Sequence, residues 1–121
     1  MSRRFRLASF ADAARGIRVL FDEPNARVQA LIALAAAGLG VWLRIGRRDW
    51  ALLVFAMGLV LACEAMNTAL EALADRVAPD RHPLVAKAKD VAAGAVLIAA
   101  LTAALIGLLV LGKPLLARLV S

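Results

Sequence analysis

Several routes to function are closed by what this chain lacks. With one cysteine, Cys63, no intrachain disulfide is possible, and among small apolar neighbours that thiol packs rather than reacts. With one histidine, His82, a metal site of several imidazoles is excluded. There is no G-x-x-x-x-G-K-[ST] loop, no G-x-G-x-x-G turn and no strand pattern to carry either, so any nucleotide chemistry must use another solution. The first eighteen residues are rich in Arg and lack the apolar run of a cleavable signal, so the chain is expected to keep its N-terminus. No linker, repeat or low-complexity tract divides the sequence, and residues 1–121 are read as one domain.

What is present is hydrocarbon. Apolar residues make up 63% of 121, more apolar surface than a soluble core of this size could hide, so the chain is expected to be an integral membrane protein. Three stretches suit the ~30 Å hydrocarbon layer. They run from Val28 to Leu43, from Trp50 to Leu73 and from Val91 to Leu111. Ahead of them, Phe5 to Phe21 reads as an amphipathic helix, with Phe10, Ala14, Ile17 and Phe21 at helical spacing and Arg4, Asp12, Arg15 and Arg18 around the rest. Such a basic helix lies in the headgroup region without crossing it. Pro24 marks a break before the first span. Arg44 to Asp49 is a short wet turn between Trp42 and Trp50, which act as interfacial anchors, and Arg76 to Lys89 is a longer polar connection punctuated by Pro79 and Pro83.

The net charge of +6 fits topology better than nucleic acid, and no nucleic-acid partner is expected. Three alternating spans put the N-terminal segment and the connection after the second span on one side. Together these hold ten of the fifteen Lys and Arg, which assigns that side to the cytoplasm, although Arg44, Arg47 and Arg48 count against it.

Chemistry is concentrated in the second span. At 100° per residue, Glu64, Asn67, Glu71 and Asp75 fall within about 80° of one another and form one ridge. The ridge follows Ala51 to Cys63, thirteen residues without a charge. A carboxylate at the centre of a membrane helix costs ~2.5–3.5 kcal/mol on insertion scales, so its presence points to a metal or proton site. Taken singly, each residue has a plainer reading. Glu64 could be an interhelical hydrogen-bond partner, Asp75 a solvated residue at a helix end, Lys89 and Asp90 snorkelling interfacial charges, and Glu23 a first-turn residue. Three acids and an amide on one stripe each need their own compensation, which weakens those readings together.

The segments Glu64-Ala-Met-Asn67-Thr-Ala-Leu-Glu71-Ala-Leu-Ala-Asp75, His82 and Ala88-Lys89-Asp90-Val-Ala-Ala-Gly94-Ala-Val-Leu97, with Glu23-Pro-Asn25-Ala-Arg27 upstream, resemble the small prokaryotic diacylglycerol kinases, a family that includes undecaprenol kinases. The resemblance implies an all-α membrane fold, an N-terminal surface helix with three spans, assembled as a homotrimer whose active sites are shared between subunits. It implies transfer of the γ-phosphate of ATP to a lipid hydroxyl, with Mg2+ as cofactor, at the cytoplasmic face of a bacterial inner membrane. By that likeness Glu64 matches the general base, Glu23 and Glu71 the carboxylates holding the metal, and Asn67 and Asp75 polar residues around the reacting centre. Lys89 and Asp90, with Asp80, Arg81 and His82, match nucleotide contacts, and Arg4 stands for the N-terminal Arg cluster directed at phosphate. The stretches His82-Pro83-Leu84 and Lys87-Ala88-Lys89-Asp90-Val-Ala-Ala-Gly94 resemble the undecaprenol branch more than the diacylglycerol branch, with diacylglycerol as the alternative acceptor.

Elementary requirements agree: phosphoryl transfer asks for alignment, charge neutralisation and an acceptor base. A competing class, a small cation-coupled transporter or channel subunit, explains Glu64 and Glu71 but leaves Glu23, Lys89, Asp90 and the surface helix without a task.

Overall fold

The computed structural model describes residues 3–121, with side chains from Arg6 onward. Four helices follow in order: α1 (Arg3–Leu20), α2 (Pro24–Leu43), α3 (Arg47–Val77) and α4 (Pro83–Val120). No strand occurs among the described residues. The all-α membrane class expected from the sequence holds.

Three of the helices, α2, α3 and α4, are long and apolar enough to cross a membrane. Their most apolar windows are only 11%, 22% and 17% buried within the chain. Leu31, Ile32, Leu34, Leu101, Leu108 and Leu109 stand outward on α2 and α4, which is tolerable only where lipid is the solvent.

The helices outrun the apolar stretches that mark them in the sequence. At 1.5 Å per residue α3 is about 46 Å long and α4 about 57 Å, against ~30 Å of hydrocarbon. α4 begins eight residues before Val91, and α3 continues four residues past Leu73. Hydropathy registers where a helix leaves the lipid, whereas the backbone continues until a cap or proline stops it. The polar connection expected from Arg76 to Lys89 is therefore only residues 78–82, because Pro83 occupies the first turn of α4, where its missing N–H costs nothing. The opposite turn also shrinks, to Arg44, Ile45 and Gly46. Arg44 adopts φ 55°, ψ 47° and its N–H caps α2 on Gly40 and Val41 carbonyls. Gly40 is required here: a Cβ would lie 2.9 Å from Ile45 Cδ1 and 3.1 Å from Trp50.

The apolar core sits at this end. Leu53, Val110 and Leu111 are buried there, with Leu39, Leu43, Trp50 and Ile106 packed around them. Arg118 stacks 4.8 Å from the Trp42 ring, holding the end of α4 over the end of α2. At the other end, α1 crosses α3 on small residues, Ala13 and Gly16 facing Ala65, Ala69 and Ala72. The junction from α1 to α2 is closed by N–H bonds from Asp22 to Val19 and from Glu23 to Leu20, both 3.0 Å, and by Arg27 Nε donating to the Phe21 carbonyl at 2.7 Å. Asp12 pairs with Arg15 one turn away on exposed α1.

Candidate active site

One stripe of α3 organises the site. Leu53, Ala56 and Val60 are buried, and the same three-and-four spacing continues through Glu64, Asn67, Glu71 and Asp75. The stripe therefore starts as a packing seam and becomes polar at Glu64, which is 3% exposed and the only buried charged residue among those described. Gln29 on α2 donates its Nε2 to Glu64 Oε2 at 3.2 Å. A carboxylate withdrawn from water needs such a partner.

Above Glu64 the stripe rises into solvent. Asn67 is half-buried and donates Nδ2 to Glu71 Oε1 at 3.4 Å, while its Oδ1 is buried without a partner. Asn67 also borders a 680 Å³ groove between α3 and α4, with Lys87 and Ala88 on its far wall. Glu71 and Asp75 are exposed. Lys89 Nζ reaches Asp75 Oδ1 at 2.5 Å, bridging α4 to α3 across the short 78–82 connection. That hydrogen bond holds the Lys89 ammonium above its ordinary value. Desolvation opposes it, and the charges of Asp75 and Glu71 add to it. Glu71, Asp75 and Lys89 thus form one electrostatic cluster, with Asp90 exposed beside it.

The remaining expected residues lie on the neighbouring elements. Glu23 is exposed at the N-cap of α2, just past the α1 segment that packs on α3 between Ala65 and Ala72. Asp80, Arg81 and His82 are exposed in the connection, and His82 Nδ1 accepts from the Leu84 N–H at 3.2 Å as the cap of α4. Its other ring nitrogen stays available. Arg4 is in the first turn of α1, and its side chain lies outside those described.

The oxygen chemistry suits a hard divalent cation. No group of three or more His, Cys, Asp or Glu converges among the described residues. Magnesium tolerates this, since it keeps waters and takes one or two carboxylates together with phosphate oxygens. Glu71 and Glu23 offer carboxylates in solvent, where such an ion is available.

The structure thus sets a buried carboxylate below exposed acids and a lysine in a helical membrane protein. Comparison with known sequences gives its class. A profile of the prokaryotic diacylglycerol kinase family matches residues 11–111. An undecaprenol kinase of Bacillus subtilis is 35% identical over 103 residues, covering 84% of each chain. A diacylglycerol kinase of Escherichia coli K12 is 33% identical over 90 residues, covering 74% of each. A diacylglycerol kinase of Synechocystis is 36% identical over 116 residues, which is 94% of this chain and 66% of that one. The chain belongs to the prokaryotic diacylglycerol kinase family. It is an enzyme, a lipid kinase of the membrane, and kinase membership implies ATP as the phosphate donor.

A reading centred on acids passes over Gln29. The signal was present, because Gln29 is the only amide or charged side chain between Val28 and Leu43. A lone amide in a span needs a polar partner in a neighbouring helix.

Proposed function

We propose that residues 1–121 form a single catalytic domain that transfers the γ-phosphate of ATP, with Mg2+, to the hydroxyl of undecaprenol. It works as a homotrimer at the cytoplasmic face of a bacterial inner membrane. The observation that carries this reading is the burial gradient along α3, from Glu64 at 3% exposed to the Asp75 carboxylate at 69%. A lipid alcohol presents its hydroxyl where hydrocarbon ends, and ATP arrives from water. The stripe spans that boundary.

In this mechanism Glu64 takes the hydroxyl proton as the lipid oxygen bonds to the γ-phosphorus and the bond to the leaving ADP oxygen breaks. Asn67 lines the path between Glu64 and Glu71. Lys89 neutralises phosphate charge, with Asp75 as its resting partner and Asp90, Asp80, Arg81 and His82 bordering the nucleotide. The family likeness assigns Arg4 to phosphate. Glu23 and Glu71 would hold Mg2+, which supplies charge neutralisation on the phosphates when bound.

The acceptor assignment does not rest on overall identity, which is 35% to the undecaprenol kinase and 33% and 36% to two diacylglycerol kinases. It rests on the likeness of His82-Pro83-Leu84 and of Lys87-Ala88-Lys89-Asp90-Val-Ala-Ala-Gly94 to the undecaprenol kinase branch. The test is phosphorylation in matched mixed micelles. Preference comes from apolar contacts worth about 1–3 kcal/mol each, so a C55 polyprenol should exceed a diacylglycerol by ~10–200-fold in kcat/KM. A preference for diacylglycerol would reverse the branch and leave the kinase intact.

A further inference from the structure

We propose that Gln29 is the positioning residue for the Glu64 base, serving that carboxylate in both of its protonation states. The inference rests on the proposed role of Glu64. Gln29 and Glu64 are 35 residues apart and come from different helices, yet Nε2 lies 3.2 Å from Oε2. A donor on Oε2 fixes the carboxylate plane and leaves Oε1 for the acceptor hydroxyl.

Two further observations separate this pair from ordinary packing. First, Gln29 Oε1 is buried and has no hydrogen-bond partner, a state that few native side-chain oxygens keep. Second, Gln29 heads a 260 Å³ groove between α2, α3 and α4 whose other walls, Ile32, Ala36, Leu53, Ala56 and Ala103 among them, are apolar. No other side chain lining that groove carries an N–H or O–H group.

Proton transfer leaves this contact intact. The proton taken from the lipid hydroxyl goes to Glu64 Oε1, and Oε2 becomes the carbonyl oxygen, which still accepts from Gln29 Nε2. Loss of that proton to water restores the carboxylate with the same partner. One neutral side chain thus holds the base before transfer and the acid after it, without placing a second charge in the membrane.

The test is a double-mutant cycle on the full-length enzyme in mixed micelles, using Gln29→Met, Glu64→Gln and the pair, with kcat, KM for lipid, KM for ATP and thermal midpoint recorded for each. Methionine is apolar and nearly isosteric, so insertion into the membrane is not impaired. Gln29→Met should lower kcat ~10–100-fold, the scale of one hydrogen bond to a buried charge. Both KM values should stay within about threefold, and in the Glu64→Gln background the same change should cost at most about threefold more. A wild-type kcat in Gln29→Met, a loss confined to KM, or a full additional loss in the double variant would overturn the proposal. Gln29→Leu, read by the same criteria, decides the matter if the methionine variant does not assemble. Near-normal turnover in Glu64→Gln alone would instead remove the base assignment on which this rests.

Discussion

Leu53, Ala56 and Val60 occupy the same face of the same helix as Glu64, Asn67, Glu71 and Asp75, and the two halves have opposite chemistry. In the first half, all three residues are at most 7% exposed and packed against neighbouring helices. In the second, exposure rises from buried Glu64 through half-buried Asn67 to exposed Glu71 and Asp75, where Lys89 pairs with Asp75. Helical spacing alone does not distinguish them. The difference is the medium around each turn: where lipid surrounds the bundle, the seam is filled with hydrocarbon, and where α1 and the α2 start approach α3, it is filled with acids. Glu64 belongs to both halves, since it is buried like Val60 and ionisable like Glu71. A base for a membrane alcohol needs that double character.

Breaking the polar half should cost turnover, and breaking the apolar half should cost stability. The largest effect is expected for Glu64→Gln, which should reduce transfer ~100-fold or more while ATP binding and assembly persist, as for loss of a general base. Near-wild-type turnover would take Glu64 out of that role. Next come Glu23→Gln and Glu71→Gln, each expected to raise the magnesium concentration needed for half-maximal rate by ~10-fold or more. A titration that superimposes on wild type would exclude the residue as a ligand. On the apolar side, Leu53→Ala should lower stability by ~2–5 kcal/mol, the range for a truncated core leucine, with kcat per folded enzyme unchanged. If kcat fell instead, the division of the stripe at Glu64 would be misplaced.

The smallest effect is expected from Asp75→Asn. The Asp75–Lys89 pair is exposed, and exposed pairs contribute little to stability. The thermal midpoint should hardly move. The sign for pH follows from Lys89, whose folded value is raised above 10.5. Its contribution is complete below the unfolded value and is lost only as pH rises through the folded one. A rate profile in wild type should therefore show no Lys89 ionisation below 10.5, and a basic limb below that pH that vanished in Lys89→Arg would contradict this.

Much of this arrangement was legible in the sequence because helices are periodic. The ridge from Glu64 to Asp75 follows from 100° per residue, and the three spans follow from apolar runs. What periodicity cannot supply is contact between elements. The Asp75–Lys89 bridge depends on how tightly residues 78–82 turn, and hydropathy overestimated that connection because helical ends in water look like loops. The Gln29–Glu64 bond depends on the register of α2 against α3, which is fixed by Gly40, Arg44 and Trp50 at the far end of the bundle. His82 could be read as a nucleotide contact from resemblance, but its use as the cap of α4 required the backbone.

The sidedness of the comparison is open to direct labelling. In a Cys63→Ala background, cysteines introduced at Ser9 and Pro79 should react from the cytoplasmic side and one at Arg47 from the other. Reaction of Ser9 and Pro79 from opposite sides would separate α1 from the acids it is placed beside.

The most direct measurement follows the phosphoryl group itself. Full-length enzyme in mixed micelles is given γ-labelled ATP, magnesium and a C55 polyprenol, and the lipid fraction is extracted and counted. The expected result is label in a polyprenyl phosphate, abolished by chelation of magnesium and by Glu64→Gln. Folded, ATP-binding protein that labels neither the polyprenol nor a diacylglycerol would contradict it.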